Sequence, residues 1–320
     1  MSIRAFVEQH FRHFNAGSLR DAARGYQQHK QSGGLMFVTL AGAMSTAELG
    51  ISFAQMIRAG MVDAICCTGA NIEEDLFNAV AHKQYRRLPH YRDLTPSDEM
   101  DLFAQGMNRV TDTCIPEEQA MQVIEQFVRK EWLLASQNGV ARFPHEYLLD
   151  VVLNPEFQSC FEIDRAHSWL LAAAEQDIPI YVPGWEDSTL GNKFVAAVAK
   201  GQLDKSCMLT GLDYMQHLIE WYRSCSEKAS IGFFQIGGGI AGDFPVCVVP
   251  LLSQDLQVKT QLWGYFCQIT DAQESYGGYS GALPNEKITW GKLGVDTPKY
   301  VIHSDATIVV PLIFEYLLDE

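Results

Sequence analysis

The chain has 320 residues, 47% hydrophobic and 11% aromatic, with 24 basic against 39 acidic side chains and a net charge of −15. That size and apolar content support a large core, whereas so acidic a surface repels nucleic acid. No apolar run reaches the roughly 18 residues of a membrane span, so neither a nucleic-acid nor a membrane partner is expected.

In chain order, the polar, charge-interrupted start lacks the apolar centre of a secretion signal, which predicts a cytoplasmic protein. Residues 1–30 are expected to form a helical segment and 31–320 a single large α/β domain. Residues 35–40 read as a strand, 41–46 as a small-residue turn, and 47–59 as a helix with Leu49, Phe53, Met56 and Ile57 at helical spacing. Residues 62–67 form a second strand and 68–71 a turn. Glu73, Glu74 and Asp75 then open a helix, where carboxylates suit the positive end of the dipole. The stretch 89–113 reads as irregular and polar. Helices follow at 116–137 and 165–176, a strand at 178–182 and a helix at 212–226. Strands at 231–236, 264–269 and 300–303 and a closing helix at 307–318 complete the pattern.

Strands alternating with crossover helices predict a mainly parallel sheet with helices on both faces. Ligands in such sheets sit beyond the carboxyl ends of the strands. The small, acidic and glycine-rich turns here all follow strands: 41–46, 68–75, 183–192, 237–243, 270–281 and 304–306. The eight cysteines form no CxxC pair and the nine histidines no HExxH, so no disulfide framework and no metal site are expected.

Several residues invite a functional reading beside a plainer one. Gly237, Gly239 and Gly242 match the dinucleotide fingerprint, although Pro245 and Pro250 follow closely and a tight turn explains them equally well. Glu73 and Glu74 suit ribose hydroxyls or a cationic amine, or simply a helix start. Asp187 reads as a ligand contact or a turn residue, and Asp305 as a ligand contact or the cap of the final helix. Trp290 offers a flat wall to a cation, worth about 0.5–2 kcal/mol, or packs in a core; Glu286 pairs with an ammonium or solvates a loop tip. Lys292 stands two residues after Trp290, in a glycine-flanked turn. A lysine shielded there loses its proton more easily and becomes a nucleophile toward imines and carbonyls; a solvated loop lysine is the ordinary alternative.

In order and spacing, these segments resemble the deoxyhypusine synthase family from about Phe37 to Leu317. The strongest elements are Trp290-Gly-Lys292, Ser304-Asp-Ala306 and Val310-Pro-Leu312. Thr68-Gly69, Glu73 to Leu76, Asp187, Leu190-Gly191, the glycines 237–239, Ala272-Gln-Glu274 and Ser280-Gly-Ala282 support them. The resemblance implies a Rossmann-like homotetramer that binds NAD at subunit interfaces and transfers an aminobutyl-type group from a polyamine or related amine to an acceptor amine. It implies that Lys292 carries the imine, that Trp290 and Glu286 flank the amine, and that Glu73 and Glu74 lie between amine and cofactor. Thr68, Gly69, Glu74, Asp187, Gly238, Gly239, Asp271, Ala272, Asp305 and Ala306 would then contact NAD.

The amine site departs from the family pattern. Asn192 and Tyr279 stand where the family has aspartates, and Asp243 where it has a histidine. The turn 41–46 lacks the family's asparagine, and the N-terminal extension is shortened. The expectation is therefore persistent chemistry with a shifted small-molecule amine or guanidine, as in a homospermidine-type reaction, while a protein lysine acceptor stays open. A regulatory NAD-binding paralogue is the alternative, and an ordinary dehydrogenase is disfavoured because Lys292 would then be idle.

Overall fold

Apolar runs without polar alternation mark strands buried on both faces. In the computed structural model, which describes residues 1–319, five such strands and a half-buried edge strand form one parallel sheet. They are β1 (Leu35–Leu40), β2 (Ala64–Cys67), β3 (Ile180–Tyr181), β4 (Ile231–Ile236), β5 (Tyr265–Thr270) and β6 (Lys299–His303). Their spatial order is β3-β2-β1-β4-β5-β6, the doubly wound Rossmann order, whose direction reverses between β1 and β4. Register pairs Phe37 with Phe233 and Phe233 with Phe266. Their rings stack in a row across the sheet, with centroids 5.9 and 5.7 Å apart.

Period-two alternation carries Phe233 and Phe234 to opposite faces. Phe233 meets Trp263 on one side; Phe234 meets Tyr26 and Phe314 on the other. Helices Phe14–Gln31, Gly50–Arg58 and Ala306–Leu318 cover the second face, whereas Gly211–Ser226 and Gly239–Val246 cover the first. At the sheet's edge, Asn15 pairs with both backbone groups of His303: its Nδ2 donates to the carbonyl at 2.6 Å and its Oδ1 accepts from the amide at 3.2 Å.

Three sequence expectations change. The stretch 89–113 is not irregular: it holds the helix Pro96–Ala104, and Met107–Val110 pairs antiparallel with Thr113–Pro116, which pairs in turn with Arg86–Arg87. Thr95 and Asp98 close that helix's start as a capping box. The helix expected from residue 47 begins at Gly50, because Glu48 takes a left-handed φ of 57° that no helix accommodates. A helix over Pro144–Leu153, absent from the expectation, follows Val123–Asn138. Among the described residues, no helix is long and apolar enough to cross a membrane.

Candidate active site

The helix after β2 starts at Gly69, not at the carboxylates, because Thr68 caps it by accepting the Asn71 amide. Glu73, Glu74 and Asp75 thus occupy its second turn and diverge by about 100° each. Glu73 accepts the amides of Thr189 and Leu190 at 2.9 and 2.8 Å and caps the helix Thr189–Ala199. Asp75 accepts from Ser168 Oγ at 2.6 Å and from the amides of Trp169 and Leu170, capping Trp169–Glu175. Burial pushes the Asp75 carboxyl up to about 6. Glu74 alone has an unpartnered buried oxygen, Oε2, in a residue only 6% exposed. Burial pushes its carboxyl up to about 7; Thr46 opposes the rise and the Glu73 charge adds to it.

Asn71, which the sequence did not single out, organises the loop after β1. Its Nδ2 donates to the carbonyls of Leu40, Ala41 and Gly42, and its Oδ1 accepts the Ser45 amide. Thr68 Oγ1 reaches Gly42 O at 2.7 Å. Gly69 permits the abutment of two helix starts: a Cβ there would lie 2.6 Å from the Ser188 Cβ.

A cavity of about 920 Å³ opens at the carboxyl ends of β1, β4, β5 and β6, walled on its outer side by Tyr85, Arg87 and Tyr91. Thr46, Glu48, Gly237, Asp271, Asp305 and Ala306 line it. Asp305 caps the closing helix through the Thr307 amide at 2.8 Å, and Ala272 donates its amide to Thr270 Oγ1. Gly237 has φ 76° and Gly239 φ 56°; at Gly238 a Cβ would come within 2.0 Å of Ser280 Oγ. The helix Gly239–Val246 does form after these glycines, with Pro245 near its end, where the missing N–H removes a single intrahelical bond. Asp187 and Asn192 are exposed; the Asn192 amide turns back onto Ser188 O at 2.7 Å.

Lys292 lies on the other side of the glycine turn. It is 7% exposed, and its Nζ is 3.5 Å from Asp243 Oδ1. The rings of Trp290 and Tyr279 stand 5.8 and 5.9 Å from that nitrogen. Trp290 is 65% exposed, so it forms a wall open to solvent and not part of the core. Glu286 is exposed. Tyr279 is fixed by its hydroxyl, which donates to Gln235 Oε1 at 2.7 Å, and Gln235 donates in turn to Gly237 O. Lys292, Asp243, Tyr279 and Trp290 therefore form one cluster, joined to the cavity through the glycine turn.

A second lysine accompanies it. Lys287 is 3% exposed, and its Nζ donates to Ala282 O at 3.2 Å and Gln268 Oε1 at 3.4 Å. Phe266 and Tyr279 each lie 5.0 Å away, ring centre to nitrogen. Burial, then the nearby Lys292 charge, lower its ammonium to about 8. In the sequence Lys287 looks like any polar residue beside Glu286; its partners come from a strand some twenty residues earlier.

The chain matches the deoxyhypusine synthase profile over residues 7–317. It belongs to the deoxyhypusine synthase family. A "Deoxyhypusine synthase-like protein" of Cyanothece sp. is 28% identical, over all of this chain and 80% of its own length. A "Probable deoxyhypusine synthase 1" of Methanosarcina acetivorans is 29% identical, over 94% of this chain and 85% of its own. The solved structure of a "putative deoxyhypusine synthase" from Entamoeba histolytica superposes with a TM-score of 0.59 at 13% identity, covering 99% of this chain and 92% of that one. That likeness shows the shared fold. Membership of the deoxyhypusine synthase family places the chain among transferases.

Proposed function

We propose that this protein transfers an aminoalkyl group between amines, using NAD and a transient imine on Lys292. The supporting observation is the placement of Lys292: a nearly buried amine beside two aromatic walls and one carboxylate, Asp243, from the helix that follows the glycine turn. NAD held there would supply hydride chemistry at the carbon next to the donor nitrogen. The cavity, about 920 Å³ and lined by Gly237, Asp271 and Asp305, is suited to a dinucleotide, while Gly238 packs against Ser280 Oγ. Glu74, with its unpartnered oxygen, is suited to hold a proton or a cationic group between cavity and amine.

The chain's own residues then have definable tasks. Asp243 holds the cationic form of Lys292 in place until the substrate ammonium takes over that contact. Neutral Lys292 adds to the substrate carbon–nitrogen double bond, the original amine leaves with a proton, and the acceptor amine reverses the exchange. Trp290 shields one side of the cation. By family analogy the proposal includes a tetramer with its sites between subunits. A small amine is favoured as acceptor over a protein lysine, because Asn192 and Tyr279 have replaced carboxylates.

The test is to incubate protein, NAD and candidate amines, reduce with borohydride and map the labelled peptide. Label on Lys292 is expected; label elsewhere, or none with any amine, defeats the reading. Absence of amine-dependent NADH absorbance alongside tight NAD binding would favour a regulatory protein, the second reading that the lost carboxylates permit.

A further inference from the structure

A dinucleotide carries negative phosphates, and this protein already has a net charge of −15. The cavity must therefore give that anionic centre a place to sit. Among the described residues that line it, only His82 and Arg87 are basic. Both belong to the segment that follows the helix Gly69–Ala81 and leads into the outer wall. Asp271 and Asp305 stand on the sheet side instead, after β5 and β6. Like charges repel, so phosphates are driven from the sheet side toward the wall. His82 and Arg87 belong to none of the segments on which the family resemblance rests.

Each cation is held on one side and left open on the other. His82 Nδ1 lies 2.9 Å from Asn78 Oδ1 and 3.2 Å from Glu48 Oε1. A carboxylate can only accept, so Nδ1 carries the hydrogen and the ring is fixed. Nε2, across the ring, has no bond among the described residues, and His82 lines the cavity. Arg87 donates from Nε to Asp112 Oδ2 at 2.9 Å, and its terminal nitrogens have no acceptor among the described residues. Alternation along the strand Arg86–Arg87 takes Arg86 to the other face, where it bonds Gln105. The two ion pairs are partly exposed, so each is weak and a phosphate can share the cation.

We propose that His82 and Arg87 are the anion-binding residues of this cavity and hold the pyrophosphate of the cofactor against the outer wall. The proposal rests on the NAD part of the transferase reading and adds where the dinucleotide's charge is bound. Arg87 presents a planar fork of N–H donors matched to phosphate oxygens. Protonated His82 adds a donor from Nε2, on a ring already aligned by Glu48 and Asn78.

The test is NAD affinity by calorimetry at pH 6, where a histidine side chain is ordinarily mostly cationic. Wild type is compared with His82→Gln, His82→Lys, Arg87→Gln and Arg92→Gln. Arg92 stacks on Tyr91 and does not line the cavity, so its loss controls for a nearby cation. His82→Gln and Arg87→Gln should each weaken NAD about tenfold. His82→Lys should keep most of the affinity, and Arg92→Gln should change nothing. Competition then locates the loss. The inhibition constant of inorganic pyrophosphate should rise about tenfold in either glutamine variant, while that of adenosine, which has no phosphate, stays put. A merely structural pair would lower the Tm and weaken both competitors alike.

Equal NAD affinity in wild type and both glutamine variants, or equal weakening of pyrophosphate and adenosine, overturns the proposal and leaves the NAD reading standing. A wild type that binds no NAD removes that reading and the proposal with it. Should one glutamine variant fail to fold, the other decides by the same two competitors.

Discussion

Glu74→Gln tests how the site stores a charge. Glu74 Oε2 is buried without a partner, and the carboxyl sits near 7 where an ordinary one sits near 4.5. A raised value means that the folded protein holds this proton more tightly than the unfolded chain does. The stability this confers is fully present below about pH 4.5 and is lost as pH rises through about 7. Over that span the loss comes to about 3 kcal/mol, at roughly 1.36 kcal/mol per pH unit. Glutamine cannot ionise and escapes that loss, but its amide forfeits about 1 kcal/mol for want of a good acceptor. The variant should therefore be more stable than wild type by about 2 kcal/mol at pH 8 and slightly less stable at pH 4.5. For a chain of this length, 2 kcal/mol corresponds to a Tm rise of about 3 °C. Thermal unfolding of ligand-free protein at both pH values, with urea titration as a second measure, reads the difference. Equal effects at the two pH values, or destabilisation at pH 8, would refute the reasoning, because Glu74 would then be ionised and compensated.

Lys292→Met should abolish the borohydride-trapped adduct, a loss of about 10³-fold or more, with the Tm within a few degrees of wild type; a persistent adduct on another residue would reassign the nucleophile. Asn71→Ala removes the side chain that joins three carbonyls and one amide of the loop after β1. It should cost about 2–4 kcal/mol in urea unfolding and weaken NAD binding by calorimetry; a cost under about 0.5 kcal/mol would mean that the loop holds itself. Trp290→Leu, at a residue 65% exposed, should leave stability within about 0.5 kcal/mol yet weaken amine binding by about 0.5–2 kcal/mol. Unchanged amine affinity would make Trp290 a bystander.

The sheet was legible because its strands, the edge strand Lys299–His303 apart, are buried on both faces. The runs Leu35–Leu40 and Ile231–Ile236 are apolar but for Thr39 and Gln235, and both coincide with the observed strands to the residue. The small antiparallel sheet was not, because Arg86-Arg87 and Met107–Val110 are short, half-exposed and polar in sequence. At the site, Trp290-Gly-Lys292 and Asp243 could be read from motif and resemblance. The division of labour among Glu73, Glu74 and Asp75 could not: Glu73 and Asp75 each face a different helix start, Glu74 faces Thr46, and only the fold says which oxygen is left over. Asn71 and Lys287 escaped for the same reason. Their partners, Leu40 to Ser45 and Phe266 with Gln268, come from other strands and loops, and no local spacing announces them.

The pairing of Asn15 with His303 has a further outcome. An outermost strand ordinarily offers its peptide groups to any extended segment that drifts past. Here a side-chain amide imitates the missing neighbour at the last residue of β6, and the helix that carries it lies along the strand. The last residue of β6 is thus closed from within its own sequence, so a passing segment finds both peptide groups of His303 already engaged.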